Sequence, residues 1–124
     1  LLWQQWSPNW QFDDACFGRT AIAHDNTDYV DVVIHSYRHR FGLAEGDPRY
    51  AEIQRRLAAQ PPIIVPTITL DGEEDGVIFP TDGRASAPKF TGSRVHRVIP
   101  RAGHNLPQEA PEAFAAAVLE LVKA

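Results

Sequence analysis

The chain has 124 residues, of which 44% are hydrophobic and 23% charged, and its formal net charge is −4. This is the composition of an ordinary globular domain, and a net negative charge without a basic stripe gives no reason to expect a nucleic-acid partner. No apolar run approaches the roughly 20 residues that a membrane-spanning helix needs. A single cysteine, Cys16, excludes an internal disulfide and is compatible with a reducing compartment, so we expect a cytoplasmic location.

The first half of the chain has the periodicity of helices. Trp3 and Trp6 share one face of a first helix, which Ser7-Pro8 can end. Further helices are predicted at residues 12–23, 29–41 and 49–60. We therefore predict a helical subdomain at residues 1–61, with a change of organisation at the Pro61-Pro62 pair.

Several side chains of this half are candidates for a binding site. Trp6, Trp10 and Tyr37 could form the apolar and phenolic wall of a substrate pocket, although core packing is the commoner use of tryptophan. Asp31, His35 and His39 follow one another at intervals of four residues and would share a helix face. A His pair four residues apart can bind a metal, but a polar helix face is the simpler interpretation.

The second half, residues 62–124, has the pattern of a parallel α/β arrangement. A β-branched run at residues 63–70 predicts a strand buried on both faces, and four carboxylates follow it closely: Asp71, Glu73, Glu74 and Asp75. A second run at residues 95–99 predicts another strand, which leads to Gly103-His104. Pro111 opens a last helix. The carboxyl ends of such strands are where open α/β sheets place their sites.

An Asp and a His at the ends of neighbouring strands form the orienting half of a nucleophilic triad. Residues 65–75 match the pattern V-P-T-x-x-x-x-G-x-x-D, and residues 103–111 match G-H-x-x-x-x-E-x-P. Together these motifs resemble the acid and histidine motifs of the α/β-hydrolase family. The resemblance implies that Asp75 is the catalytic acid and His104 the general base, with no cofactor. Asp71 departs from it, because relatives often carry a larger residue before that Gly.

The resemblance implies an α/β fold of a particular extent: a helical cap, the last two parallel strands and the last helix of an α/β-hydrolase. A nucleophile elbow, G-x-S-x-G or G-x-D-x-G, does not occur in the 124 residues. Since the chain also begins Leu-Leu-Trp and contains no Met, we expect it to be part of a longer protein. We expect that protein to hydrolyse a small, mainly apolar ester, epoxide or haloalkane, and these residues alone to be inactive.

An alternative is a non-catalytic relic of the same fold that dimerises or binds a ligand. Two parallel strands cannot form a covered sheet by themselves, so the first strand would expose an apolar edge. We therefore expect either the missing N-terminal half or a second copy of the chain to cover this edge. Beyond these, the partner implied by the resemblance is a small-molecule substrate, with no nucleic acid and no membrane.

Overall fold

The computed structural model describes residues 1–123, which form two compact units. We call residues 12–60 the helical unit, and residues 1–11 together with 61–123 the strand unit. Residues 1–11 belong to the predicted helical subdomain, residues 1–61. The structure groups them with the strands instead, because Trp6 and Ser7 accept hydrogen bonds from the loop around His104. This contact joins positions far apart in the sequence, which local periodicity does not encode.

The regular elements follow the predicted order. In chain order they are α1 (Leu2–Trp6), α2 (Asp14–Ala21), α3 (Tyr29–Arg40), α4 (Ala51–Ala58), β1 (Thr67–Gly72), β2 (Arg94–Ile99), α5 (Leu106–Glu109) and α6 (Pro111–Lys123). Short 3-10 turns lie at Ile22–Asp25, Pro48–Tyr50 and Ala87–Lys89. The one-turn helix α5 was not predicted. None of the helices within residues 1–123 combines the length and apolar character needed to cross a membrane.

The helices of the helical unit begin and end at the signals present in their sequences. Asp13 caps α2, because its carboxylate accepts a hydrogen bond from the backbone N–H of Cys16 at 2.7 Å. Helix α3 ends in a Schellman motif: Gly42 has a φ of +71°, and the N–H of Leu43 donates to the carbonyl of Arg38 at 2.7 Å. A residue without Cβ adopts this left-handed conformation at little cost, so Gly42 fixes the end of the helix.

Strands β1 and β2 pair in parallel, with Thr67 opposite Arg94 and Gly72 opposite Ile99. The predicted first strand, residues 63–70, begins too early, since before Thr67 only Ile63 makes an isolated bridge, to Phe90. Pro66 explains the difference, because it has no N–H to donate to a ladder. The strand also continues further than predicted, so Asp71 lies within the strand and not in the turn after it.

Burial in the strand unit is concentrated near the carboxyl ends of the strands. Ala102, Leu106 and Ala117 are the buried apolar residues, and Ser7 is a buried polar residue with an exposed fraction of 0%. Residues Thr67–Asp71 of β1 are half-buried and not buried on both faces as predicted, because within residues 1–123 the sheet has only two strands. Helix α6 is tied to β2 by Arg97, whose guanidinium donates to both oxygens of Glu120 at 2.8 Å.

This packing predicts unequal costs for truncating two leucines. Leu106 is 8% exposed and Leu119 is 56% exposed. Leu106→Ala should lower the free energy of unfolding by about 2–4 kcal/mol, since it leaves a cavity, and Leu119→Ala by less than about 1 kcal/mol. Urea denaturation of both variants measures the difference, and equal costs would show that the strand unit does not pack around Leu106.

Candidate active site

The acid loop directly after β1 holds the carboxylate of Asp75 in one orientation. Its Oδ1 accepts hydrogen bonds from the backbone N–H groups of Val77 at 2.8 Å and Ile78 at 2.9 Å. These bonds come from residues two and three positions later, the local geometry that Asp favours in turns. The loop therefore fixes the carboxylate before any partner from another element contacts it.

His104 follows β2 and contacts this carboxylate. Its Nδ1 lies 3.0 Å from Oδ2 and 3.2 Å from Oδ1 of Asp75. Because an ionised carboxylate can only accept, Nδ1 must carry the proton, which leaves Nε2 as the basic nitrogen of the neutral ring. The side chain of Asp75 is 13% exposed and that of His104 is 33% exposed, so the acid is shielded while the imidazole remains accessible.

The environment of Asp75 favours its ionised form. Burial raises the pKa of this carboxyl, but the N–H groups of Ile78 and Val77 and the imidazole of His104 lower it by more, so the pKa lies below its usual range. Asp75 therefore remains a hydrogen-bond acceptor at neutral pH, as the orientation of the imidazole requires.

One carbonyl group joins the acid loop to the histidine loop. The carbonyl oxygen of Trp6, at the end of α1, accepts hydrogen bonds from the N–H of Gly76 at 3.0 Å and from the N–H of His104 at 3.1 Å. Next to it, the buried Oγ of Ser7 accepts from the backbone N–H of Asn105 at 3.3 Å and from its side-chain Nδ2 at 3.1 Å. The segment that ends α1 therefore accepts hydrogen bonds from the backbone N–H groups of Gly76, His104 and Asn105.

The two glycines beside the acid and the base make this approach possible. A Cβ at Gly103 would lie 2.6 Å from the Cα of Ser7 and 2.9 Å from the carbonyl oxygen of Trp6. A Cβ at Gly76 would collide with the carbonyl of Gln5. Real Cβ atoms do not approach other atoms this closely. Residues 5–7 lie so near the histidine loop that the Gly-His motif requires a residue without Cβ before the histidine.

The space beside the pair is small and mixed in character. An open cavity of about 200 Å³ is lined by Asp71, Asp75 and His104 together with apolar side chains, namely Leu70, Ile78 and Leu106. The ring of Trp6 packs edge-on against the imidazole of His104, with centroids 5.5 Å apart. A small reacting group could therefore reach His104 through this partly apolar cavity.

The structure separates Asp75 from the other candidate acids. Asp71 accepts hydrogen bonds from the N–H and Oγ1 of Thr81, at 3.0 and 3.2 Å. Glu73 accepts from the N–H of Arg101 at 3.2 Å, and Glu74 lines a different cavity. Of the four carboxylates, Asp75 is the one that contacts His104.

The predicted pocket residues have different surroundings. Trp6 lies against His104, as described above. Trp10 stacks on Trp3 with centroids 5.1 Å apart and lines the cavity that contains Glu74. Tyr37 belongs to the helical unit, where its ring lies 6.5 Å from that of Phe41. A role of these three residues in substrate binding stays a prediction.

The alternative of a metal on α3 is not supported. Within residues 1–123, no group of three His, Cys, Asp or Glu side chains is arranged to hold a metal ion, and this includes Asp31, His35 and His39. His39 has other partners: its Nδ1 is 3.2 Å from the carbonyl oxygen of Ala44 and its Nε2 is 3.1 Å from the amide nitrogen of Gln54. Both ring nitrogens are already engaged in hydrogen bonds.

Sequence reasoning missed the residues that support the pair. Ser7 and the Trp6 carbonyl act through contacts to residues almost a hundred positions later, so no local pattern could have identified them. Glu109 could have been found, because it occupies the acidic position of the histidine motif. Its carboxylate accepts hydrogen bonds from Gly103 and Asn105, on either side of His104.

Comparison with known proteins gives one solved structure of high similarity. It is a protein from Klebsiella pneumoniae subsp. pneumoniae, described as a proposed epoxide hydrolase, which is 48% identical in sequence and superposes with a TM-score of 0.92. The match covers 99% of this chain but only 41% of that protein. No family model matches the chain, and no curated protein matches it significantly. The similarity supports a relationship to hydrolases and is consistent with part of an α/β-hydrolase fold.

The close approach at Gly103 predicts the effect of adding one methyl group. Gly103→Ala should displace Trp6 and Ser7 and destabilise the strand unit, because neighbouring backbone atoms cannot yield to a Cβ. Gly18→Ala is the matched control: nothing lies within 4 Å of its added Cβ, and Gly18 sits inside α2. That variant should be stabilised by about 0.5–1 kcal/mol. Thermal denaturation that ranks the two variants in the reverse order would contradict the proposed contact.

The lowered pKa of Asp75 predicts a pH-dependent contribution to stability. An acid with a lower pKa in the folded state stabilises the fold above its unfolded pKa, ordinarily 3.8, and loses this contribution as the pH falls through the folded-state pKa. The wild type should therefore exceed Asp75→Asn in unfolding free energy near neutral pH, and the gap should narrow below about pH 4. Denaturant titrations at several pH values measure it, and a gap that persists to strongly acidic pH would contradict the assignment.

Proposed function

We propose that these residues supply the acid and the base of an α/β-hydrolase that works through a nucleophile–His–Asp triad. The observation that carries this proposal is the contact of His104 Nδ1 with Asp75, at 3.0 Å, on two loops that follow adjacent parallel strands. In this role Asp75 holds the ring in one tautomer and stabilises the imidazolium, while Nε2 of His104 takes a proton from the nucleophile or from water.

The nucleophile in this proposal comes from residues outside the 124. No G-x-S-x-G or G-x-D-x-G elbow occurs in the sequence. The chain spans 41% of the length of the similar hydrolase structure, which leaves room for an elbow elsewhere in a protein of that size. We therefore propose that residues 1–124 are the C-terminal part of such an enzyme, that the helical unit is its cap, and that the strand unit contains its last two strands and last helix.

The proposed substrate is a small, mainly apolar epoxide, ester or haloalkane. The relative from Klebsiella pneumoniae supports the epoxide in this group, and the apolar lining beside His104, from Leu70, Ile78 and Leu106, suits an uncharged substrate. Trp6, Trp10 and Tyr37 are proposed as substrate-binding residues. The histidine-activated water step is common to acyl and alkyl chemistry, so Asp75 and His104 serve each of these substrates equally.

The free edge of β1 supports the proposal that a further strand pairs with this sheet. Within the part of the chain that the structure describes, β1 pairs with β2 alone, so its other edge presents unpaired backbone groups. We propose that strands of the remaining hydrolase core cover this edge. Self-association through the same edge is the alternative, and it would leave a dimer without a nucleophile.

The activity test compares two aspartates of the full-length hydrolase that contains these residues. Asp75→Asn should lower kcat/KM for an aryl epoxide or a p-nitrophenyl ester by about 10²–10⁴-fold, because the imidazole loses its orienting acceptor. Asp82→Asn is the control, since Asp82 pairs with Arg84 at the surface, where its side chain is 64% exposed. Equal activity of wild type and Asp75→Asn would refute the triad, and the absence of hydrolysis in the wild type would favour the non-catalytic relic.

A mass measurement on His104→Gln identifies the nucleophile. An Asp nucleophile is already ionised and needs no base for its attack, so an epoxide would alkylate it and the adduct would accumulate when water is not activated. A Ser nucleophile must lose its proton to His104 first, so no adduct would accumulate. Intact mass spectrometry after incubation with the epoxide separates these outcomes. A His104→Gln variant that turns over at the wild-type rate would exclude His104 as the base.

A further inference from the structure

The backbone around His104 is held by hydrogen bonds at three successive N–H groups. The N–H of Gly103 donates to Oε2 of Glu109 at 2.8 Å, and the N–H of Asn105 donates to Oε1 of the same carboxylate at 2.9 Å. Between them, the N–H of His104 donates to the carbonyl of Trp6 at 3.1 Å. One carboxylate therefore binds the N–H groups of the residues before and after the histidine without using the imidazole.

These bonds are among the stronger ones that a loop can form. The two bonds to Glu109 each join an N–H to a carboxylate, and such bonds are shorter and stronger than those between neutral groups. Gly103 is buried and Asn105 is half-buried, so an N–H left without an acceptor there would be costly. The one-turn helix α5 brings Glu109 back beneath the loop, which explains why an acid follows His104 after five residues.

The alignment of the imidazole with Asp75 depends on both loops being fixed. Asp75 is held by its own loop through Val77 and Ile78. The matching restraint on the histidine side is the carboxylate of Glu109, since it anchors the peptide group that follows the Cα of His104 and the one that precedes Gly103. We propose that Glu109 is a positioning residue for His104, acting through the backbone. The proposal rests on the proposed function, in which His104 is the base.

Ser7 also helps to hold the histidine loop, through one donor that it shares with Glu109. The N–H of Asn105 is divided between Oε1 of Glu109 at 2.9 Å and Oγ of Ser7 at 3.3 Å. Loss of either acceptor leaves this N–H one partner, whereas loss of both leaves it none. The effects of Ser7→Ala and Glu109→Ala, which removes both acceptor oxygens, should therefore be non-additive, as expected for two residues that serve one group.

The test uses Glu109→Gln with Glu112→Gln as its matched control. Gln keeps the size of Glu but has one acceptor oxygen, so it can hold only one of the two flanking N–H groups. Glu112 is an exposed acid in the first turn of α6, three residues away. Two measurements apply to both variants: proton NMR of the His104 Nδ1–H, whose low-field resonance reports its bond to Asp75, and steady-state kinetics.

Glu109→Gln should shift the Nδ1–H resonance upfield or broaden it, and should lower kcat by up to about 100-fold. KM should stay close to the wild-type value, because substrate binding does not use Glu109. Glu112→Gln should leave both measurements unchanged. If Glu109→Gln fails to fold by circular dichroism, Glu109→Asp, which keeps the charge but is one methylene shorter, should shift the same resonance and decides the question.

The two measurements separate this inference from the proposed function. If Asp75 and His104 are required for hydrolysis but Glu109→Gln matches Glu112→Gln in resonance and kcat, the positioning role is wrong and the proposed function stands. If the resonance shifts in Glu109→Gln but neither the wild type nor any variant hydrolyses a substrate, Glu109 does position His104 and the proposed function is wrong. A fall in kcat without a change in the resonance also overturns the positioning role.

Discussion

The carbonyl oxygen of Trp6 links the two loops of the strand unit that carry Asp75 and His104. It accepts one hydrogen bond from the residue after the acid and one from His104 itself. This atom thereby links two loops that follow different strands, together with the bond from the N–H of Glu74 to the carbonyl of Ala102 at 2.8 Å, and the carboxylate and the imidazole meet at 3.0 Å. Without this bridge the two loops would lose one of the bonds that fix them to each other, and loops with fewer such bonds usually sample more conformations.

The same constraint explains the small residues around the pair. The chain at residues 5–7 passes so close to the loops that Gly76 and Gly103 cannot carry a Cβ. The burial of Ser7 is compensated, because its hydroxyl oxygen accepts two hydrogen bonds from Asn105. The glycine before the histidine is therefore a packing requirement of this contact, in addition to any requirement of the chemistry.

The pairing of Asp75 with His104 could be predicted from the sequence, because two motifs at the ends of two β-branched runs place both residues at one edge of a parallel sheet. The predicted helices of the first half also formed, since their apolar periodicity and caps are local signals. Strand β1 begins later than the β-branched run predicts, because Pro66 has no N–H to donate to the ladder. The placement of residues 1–11 was missed for a different reason: the contact of Ser7 with Asn105 spans 98 positions and leaves no trace in local periodicity.

The arrangement of Asp75 and His104 is compatible with the proposed role of the two residues as half of a triad. A shielded, ionised Asp75 fixes the tautomer of His104, and the more exposed imidazole presents Nε2 to its surroundings. A base of this kind acts only when a nucleophile or a water molecule lies within hydrogen-bond reach of Nε2. The proposed function therefore requires a nucleophile or a water molecule to face Nε2 of His104 in the longer protein that we propose.

The most direct measurement is a crystal structure of the longer protein that we propose contains these residues. The account predicts that Nε2 of His104 lies within about 3.2 Å of a Ser hydroxyl or an Asp carboxylate from outside residues 1–124, or is joined to it by one water molecule. A structure in which Nε2 of His104 packs against apolar side chains, with no nucleophile or water in reach, would contradict it.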